Sequence, residues 1–301
     1  MEMHKTCKLC PRACGVNRDK SLGVCQVSST VKVARAALHF WEEPCISGEN
    51  GSGAVFFSGC PLHCVFCQNE EISHGKVGAE ITIEQLSQIY LNLQEQGANN
   101  INLVTGTHYI PEIVESISIA RNAGLSIPVI YNTSGYETVE SLQMLEGTVN
   151  AYLPDFKYMD SNLASKYSHA ADYPDVAKKA IAEMVRQCPE VEYDDNGFIN
   201  SGVIVRQLLL PGHVNDAKSI VEYLYGTYKD SIYLSLMSQY TPMAQIKEKY
   251  PELDRRVTKR EYDTLVNYAI ELGVTNAFTQ DRKVAKESFI PDFLEGCGCP
   301  D

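Results

Sequence analysis

The sequence predicts an α/β fold: a parallel sheet covered by helices, preceded by a small cysteine-rich N-terminal module. Three observations carry this. From residue 53 onward, short apolar runs alternate with stretches of helical spacing, and such alternation over this length implies a parallel sheet, doubly wound or curled into a barrel. The apolar runs are mostly continuous, as in strands buried on both faces. Finally, Cys7, Cys10, Cys14, Cys25 and Cys45 crowd the first 45 residues. The chain is therefore divided into a module at 1–45 and a main domain at 46–301.

Taken in order, GAVFFSG (53–59) is the first strand, after a glycine-marked hinge at Gly48, Gly51 and Gly53. ITIEQLSQIYLNLQEQG (81–97) is a helix, with Thr82 and Gln85 as a capping box. NINLVTG (100–106) is a strand. PEIVESISIARNAG (111–124) is a helix with Pro at its start and Gly at its end. IPVIYNTSG (127–135), a helical ETVESLQMLEG (137–147) and NAYLPDFKYMD (150–160) continue the rhythm. A long helical region then runs to Cys188, followed by the strand GVIVRQLLLPG (202–212) and the helix NDAKSIVEYLYGTY (215–228). The strand SIYLSLMSQYTP (231–242), the helix TKREYDTLVNYAIELG (258–273) and a short NAFTQ strand complete it. Polar and reactive residues gather at strand C-termini, where α/β barrels build their sites.

Composition narrows the function. The formal net charge of −12 argues against a nucleic-acid partner, which would call for clustered Lys and Arg. No apolar run is long enough to span a bilayer, and the start, MEMHKTCKLC, lacks a signal-peptide stretch, so a cytoplasmic protein is expected. In a reducing cytoplasm, 11 clustered cysteines point to metal rather than disulfides.

FFSGCPLHCVFCQN (56–69) sets Cys60, Cys64 and Cys67 as C-x3-C-x2-C on the loop after the first strand. Three thiolates on one loop can hold three irons of a cubane and leave the fourth iron open to a reactant. The plainer alternative is a structural zinc knuckle completed by His63 or by a distant residue. Zinc sites usually pair two short hooks, whereas this triad stands alone after a buried strand, so the spacing favours the cluster.

With Phe66 as its aromatic residue, C-x3-C-x-Φ-C resembles the radical S-adenosylmethionine (SAM) signature, and CVFCQN is similar to the version in glycyl-radical-enzyme activases. CKLCPRACGVNR, EEPCISG and GAVFFSGCPLHCVFCQN together resemble the PflX-like group, pyruvate formate-lyase activating enzyme-like proteins of undefined substrate. The resemblance implies a partial (β/α)6 barrel of the TIM type. It also implies reductive SAM cleavage at a [4Fe–4S] cluster, and hydrogen abstraction by the 5′-deoxyadenosyl radical. The partners it implies are a protein substrate of the glycyl-radical-enzyme kind and a flavodoxin- or ferredoxin-type electron donor. Modification of a small molecule or another peptide is the alternative, and a non-catalytic, metal-stabilised interaction module stands outside enzymes.

By position, the resemblance assigns SAM contacts to Gly106 and Thr107, in place of a double-glycine turn with Glu. Asn132 and Ser134 correspond to a TNG turn, and Asp155, Phe156 and Lys157 to a D-L-K segment. Gln239, with Tyr240, stands where activases often carry His. The residue-level alternatives are a surface ion pair for Asp155 and Lys157 and a simple turn for Asn132. His108 either faces substrate or satisfies the backbone; His213 reads as structural.

Cys7, Cys10, Cys14 and Cys25 form C-x2-C-x3-C-x10-C in a segment too small to bury a self-sufficient core, so a second metal centre is expected to supply its folding energy. Zinc and an iron–sulfur cluster are both open, with four-ligand stoichiometry favouring zinc. Cys45 is a further candidate ligand, Cys188 an inert thiol, and Cys297 with Cys299 a C-x-C pair at the tail.

Overall fold

The computed structural model describes residues 5–280, so Cys297 and Cys299 lie outside the described residues. Seven strands run parallel: β2 (Ser52–Phe57), β4 (Ile101–Val104), β5 (Val129–Thr133), β6 (Ala151–Pro154), β8 (Ile199–Leu208), β9 (Tyr233–Met237) and β10 (Ala277–Thr279). With β1 (Val31–His39) and β3 (Ala79–Ile81) the order is β10-β9-β8-β6-β5-β4-β2-β1-β3, and the short β7 (Glu192–Tyr193) pairs antiparallel with β8 off this path. The path ends at β10 on one side and β3 on the other, so the barrel is partial, as expected. The first six parallel strands are the β/α units, and β10 is the short NAFTQ strand.

The helices are α1 (Pro44–Ser47), α2 (Glu70–Ser73), α3 (Ile83–Glu95), α4 (Ile110–Asn122), α5 (Val139–Gln143), α6 (Ser161–Ser168), α7 (Tyr173–Gln187), α8 (Val214–Tyr228) and α9 (Lys259–Glu271). Helix α3 starts where the capping box demands: Gln85 N donates to Thr82 Oγ1 at 3.2 Å and Thr82 N to Gln85 Oε1 at 2.9 Å. The long helical region before Cys188 is in fact two helices, α6 and α7. Its break comes at His169, which adopts the left-handed conformation with φ 52, and α7 restarts behind Pro174. Helix α5 covers only the middle of its expected span.

Strand β1 was not foreseen, and it lies on the N-terminal side of the boundary at residue 45. It pairs antiparallel with both β2 and β3. A β-bulge between Val33 and Arg35 breaks the alternation that would have announced it. The glycine-marked turn before β2 is a tied corner rather than a loose hinge. Gly53 N donates to Asn100 O at 2.9 Å, Ser52 Oγ to Asn100 Oδ1 at 2.6 Å and Asn99 Nδ2 to Ser47 O at 2.6 Å.

The main core lies between the sheet and its helices, where Val55, Leu103, Tyr131, Tyr152 and Val205 meet Leu86, Ile113, Ile181 and Ile220. Among the described residues, no helix is long and apolar enough to cross a membrane.

Candidate functional site

At the C-terminal ends of the parallel strands lies a cavity of about 530 Å³, in the size range of small-molecule sites. Cys60, Cys64 and Cys67 enter it from the loop after β2. Thr105 comes from the end of β4, Asn132 and Ser134 from β5, Asp155 and Lys157 from behind β6, and Gln239 from behind β9.

The loop is shaped by backbone constraint. Gly59 has φ 89, and a Cβ there would lie 2.6 Å from Cys25 O, so only glycine fits. Cys67 N donates to Cys64 O at 3.0 Å, a tight turn that brings two thiols to one side. Ser168 Oγ, at the end of α6, donates to Cys64 Sγ at 3.0 Å. Burial, reinforced by neighbouring thiols, pushes Cys60 up to about 11 and Cys67 to about 12, while Lys157 pulls the other way. These thiols therefore hold their protons at neutral pH until a metal displaces them.

The donor set fits a cubane, which takes one thiolate per iron: three soft thiolates come from one loop, and the cavity beside them leaves room for a reactant. His63, the candidate fourth zinc ligand, is not among the residues that line the cavity, and its buried Nδ1 has no hydrogen-bond partner among the described residues. Its Nε2 lies 2.7 Å from Val24 O and its ring stacks on His74.

The neighbouring residues divide into two kinds. Lys157 Nζ is ion-paired with Asp155 Oδ2, so the pair faces the cavity rather than bulk solvent. Burial opposes the ammonium, but Asp155 and the thiols raise the Lys157 pKa above its usual value. Ser134 Oγ is buried with no hydrogen-bond partner among the described residues. Asn132 Nδ2 donates to Glu42 Oε1 at 3.4 Å, and Gln239 Oε1 accepts from Gln280 Nε2 at 3.0 Å.

Four of the expected contacts do not line the cavity. Phe66 packs edge-on against Tyr158, Tyr167 and Tyr240 at 6.1 to 6.4 Å. Phe156 is fully buried against Tyr173 and Tyr223. Gly106 abuts α4, where a Cβ would meet Ile113 at 2.5 Å. Thr107 turns inward and donates to Glu137 Oε1 at 2.8 Å. In their place Thr105 faces the cavity, with φ 59, a strained value for a β-branched residue. His108 satisfies the backbone, its Nε2 lying 2.7 Å from Ser58 O, and burial lowers its pKa to about 3. His213 Nε2 sits 3.0 Å from the Tyr167 hydroxyl, a structural contact.

Sequence reasoning missed a second group of residues lining the cavity. Arg206 on β8 is ion-paired with Glu42 and Glu43, both behind β1. Its Nε donates to Glu43 Oε1 at 2.9 Å. Burial pushes Glu43 up, but Arg206 outweighs it and holds the carboxyl below its usual range. Phe40, Trp41, Met237 and Phe278 line the same cavity, with Phe40 and Trp41 exposed at the rim. These residues come from the segment after β1 and from β8, β9 and β10, and no local spacing links them. The EEPC segment was the one available signal.

The N-terminal cysteines sit apart from the cavity. Cys7 and Cys25 are buried. The Cβ position of Gly23 lies 3.3 Å from Cys14 Sγ and 3.5 Å from Cys25 Sγ. Cys45 packs with Ile46, Ile130 and Leu153 in a separate apolar cluster. Cys188 is buried and donates to Asn150 O at 3.3 Å.

Comparison with known proteins agrees with this geometry. A Methanocaldococcus jannaschii protein described only as uncharacterized protein MJ0674 is 28% identical over 278 residues, covering 88% of this chain and 74% of its own length. Streptococcus suis SuiB bound to S-adenosylmethionine superposes with a TM-score of 0.52 at 10% identity, covering 75% of this chain and 49% of SuiB. SuiB bound to its precursor peptide SuiA gives 0.50 at 11% identity, covering 75% and 47%. The chain thus spans about half the length of these structures, and the likeness is one of fold. The model of the radical SAM superfamily matches residues 54–213, which hold the cysteine loop and the strands β4 to β8. That span is more than half of the 301 residues, and the chain belongs to the radical SAM superfamily.

Proposed function

We propose that this chain is a peptide-modifying radical SAM enzyme whose cluster is held by Cys60, Cys64 and Cys67. The observation that carries this is the lining of the cavity: three thiols beside Asp155 and Lys157, with the exposed aromatic side chains of Phe40 and Trp41 at its rim.

When bound, a reduced [4Fe–4S] cluster supplies the electron that splits SAM into methionine and a 5′-deoxyadenosyl radical. The residues would do the rest. Cys60, Cys64 and Cys67 would hold the cluster and leave it open to the zwitterionic amino and carboxylate end of SAM. Lys157 and Asp155 offer both charge signs to that zwitterionic end, and the unpartnered Ser134 hydroxyl offers a further hydrogen bond. Asn132, steadied by Glu42, faces the adjoining space. Phe40, Trp41, Met237 and Phe278 would cover the radical against water and receive the substrate side chain.

A peptide substrate is supported by the exposed aromatic rim and by the fold shared with peptide-bound SuiB. The activase-like reading, with a glycyl radical enzyme as substrate, rests on the CVFCQN and CKLCPRAC motifs. A flavodoxin or ferredoxin would supply the electron in either case.

The test uses anaerobically reconstituted protein, dithionite and SAM. Release of 5′-deoxyadenosine is expected, and a Cys60/Cys64/Cys67 triple Ala variant that still releases it overturns the cluster assignment. Incubation with a deuterated peptide digest should transfer deuterium into 5′-deoxyadenosine. Transfer only from a small-molecule fraction would overturn the peptide reading.

A further inference from the structure

Residues 7–28 contain no helix and no strand. Leu9 and Val27 are the only buried aliphatic side chains between them, and Leu22 and Val24 are exposed. A segment of this kind cannot hold itself together by apolar burial, yet its backbone is folded into specific turns. Cys7 N donates to Val16 O at 3.0 Å, Gly15 N to Cys7 O at 3.0 Å, Ala13 N to Cys10 O at 2.9 Å and Gln26 N to Gly23 O at 3.0 Å. The turns bring together Cys7, Cys10, Cys14 and Cys25, none of them in a disulfide. Gly23 is held between Cys14 and Cys25, where a side chain would crowd both sulfurs.

The same segment grips the cluster loop directly at Pro61 and His63, and indirectly through Ser168 and His108. Arg12, between Cys10 and Cys14, donates from Nε to Pro61 O at 2.8 Å, from Nη1 to His169 O at 2.5 Å and from Nη2 to Ser168 O at 2.9 Å. Ser168 is the residue whose hydroxyl reaches Cys64 Sγ. Val24 O, next to Cys25, accepts from His63 Nε2 at 2.7 Å. Arg18, fully buried, donates to the carbonyl of His108, whose ring in turn bonds Ser58 O.

We propose that Cys7, Cys10, Cys14 and Cys25 hold a second metal centre with all-thiolate ligation, and that this metal fixes the module that braces the Cys60–Cys67 loop. Four thiolates complete either a tetrahedral zinc site or an iron–sulfur cluster, so the centre is closed to SAM. The shared chemistry is a soft metal held by thiolates. Among the described residues these thiols do not converge on a single-ion position, and the same is true of the barrel triad. Metal entry is therefore expected to draw the turns inward, with metal binding and ordering of the segment as one event.

The test is made on the full chain, purified anaerobically, with Cys60, Cys64 and Cys67 all replaced by Ala. It does not depend on SAM cleavage, so its failure is distinct from failure of the proposed activity. Elemental analysis should find either one zinc or a set of irons with sulfide, and the two results separate the two metals. Chelation should release the metal and expose four additional titratable thiols. Cys10→Ala with Cys14→Ala should remove it. No residual metal, with the four cysteines titrating freely or oxidised in pairs, overturns the site.

Bracing has its own readout. In otherwise native protein, Arg12→Ala should keep the module's metal but raise hydrogen exchange of residues 58–69 by roughly tenfold, the loss of a charged hydrogen-bond donor. Unchanged exchange there, with the metal retained, overturns the bracing role.

Discussion

Cys60, Cys64 and Cys67 face a cavity shared with Lys157, Asp155 and Ser134, while Cys7, Cys10, Cys14 and Cys25 are wrapped in turns and none of them lines that cavity. Both sets are thiols on short loops. What differs is the neighbourhood: one set stands at the ends of buried parallel strands beside buried charges, the other on a segment with almost no core of its own. A rigid sheet can hold three ligands and leave room for a reactant, whereas a small coreless segment must spend its ligands on its own structure. Ligand count alone, three against four, carries the same distinction.

The largest effect expected from this contrast lies in the cavity wall. Arg206 is the buried partner of both Glu42 and Glu43, so Arg206→Met would leave two carboxylates without a cation. Removing one member of such a group typically costs about 3–5 kcal/mol. Urea unfolding of the variant should report a loss of that order, with the N-terminal thiols still protected. A loss under about 1 kcal/mol would mean that water already solvates these carboxylates.

Next in size is the pair proposed to face SAM. Lys157→Met and Asp155→Asn should each weaken SAM binding roughly ten- to a hundredfold, as loss of one charge-assisted contact would, while leaving the cluster's absorbance intact. SAM affinity unchanged from the native protein in both variants would return the pair to a purely structural role. No change is expected in the metal of the N-terminal module, and a loss there would collapse the distinction between the regions.

The sequence made the cysteine loop, the parallel strands and most helices legible because their signals are local: fixed spacing, apolar runs and caps such as Thr82 with Gln85. Strand β1 escaped because a bulge interrupts its alternation. The Arg206–Glu42–Glu43 group escaped because its members are joined only by the curling of the sheet. Position along a strand end also could not say which way a side chain turns. Thr105 faces the cavity while Gly106 and Thr107, its immediate neighbours, do not.

A smaller effect is expected beneath that turn, where Glu137 accepts from Thr107 and Thr133. Burial pushes its carboxyl from 4.5 up to about 7, against the pull of the two hydroxyls. The raised value means that the folded state binds a proton the unfolded chain has given up. Its stabilising contribution is complete below pH 4.5 and is lost as the pH rises through 7. Glu137→Gln stays neutral throughout, so its stability should vary less between those limits. An unaltered slope in urea unfolding across that range would mean that Glu137 is ionised in the fold.

The smallest expected effect falls at Ser168, where the two regions meet. Its carbonyl accepts from Arg12 of the N-terminal module, and its hydroxyl donates to Cys64 Sγ at 3.0 Å. The Tyr158 hydroxyl lies 2.7 Å from the same oxygen. With the Ser168 proton given to sulfur, Tyr158 is left to donate to Ser168, and a short chain of donors ends on the thiolate. Ser168→Ala removes the hydroxyl and keeps the carbonyl, so it separates the cluster's hydrogen bond from the module's grip. The stability cost should be about 1 kcal/mol, one neutral hydrogen bond. The informative reading is the cluster's reduction potential. A thiolate that loses a donor is more electron-rich and favours the oxidised cluster, so the potential should move to a more negative value. Hydrogen exchange of residues 58–69 should stay as in the native protein, because Arg12 still has its acceptor. A variant whose potential is unchanged would mean that the Ser168 hydroxyl does not reach the metal-bound sulfur. One whose loop exchange rises as in Arg12→Ala would mean that the hydroxyl, not the Arg12 contact, is what ties the module to the cluster loop.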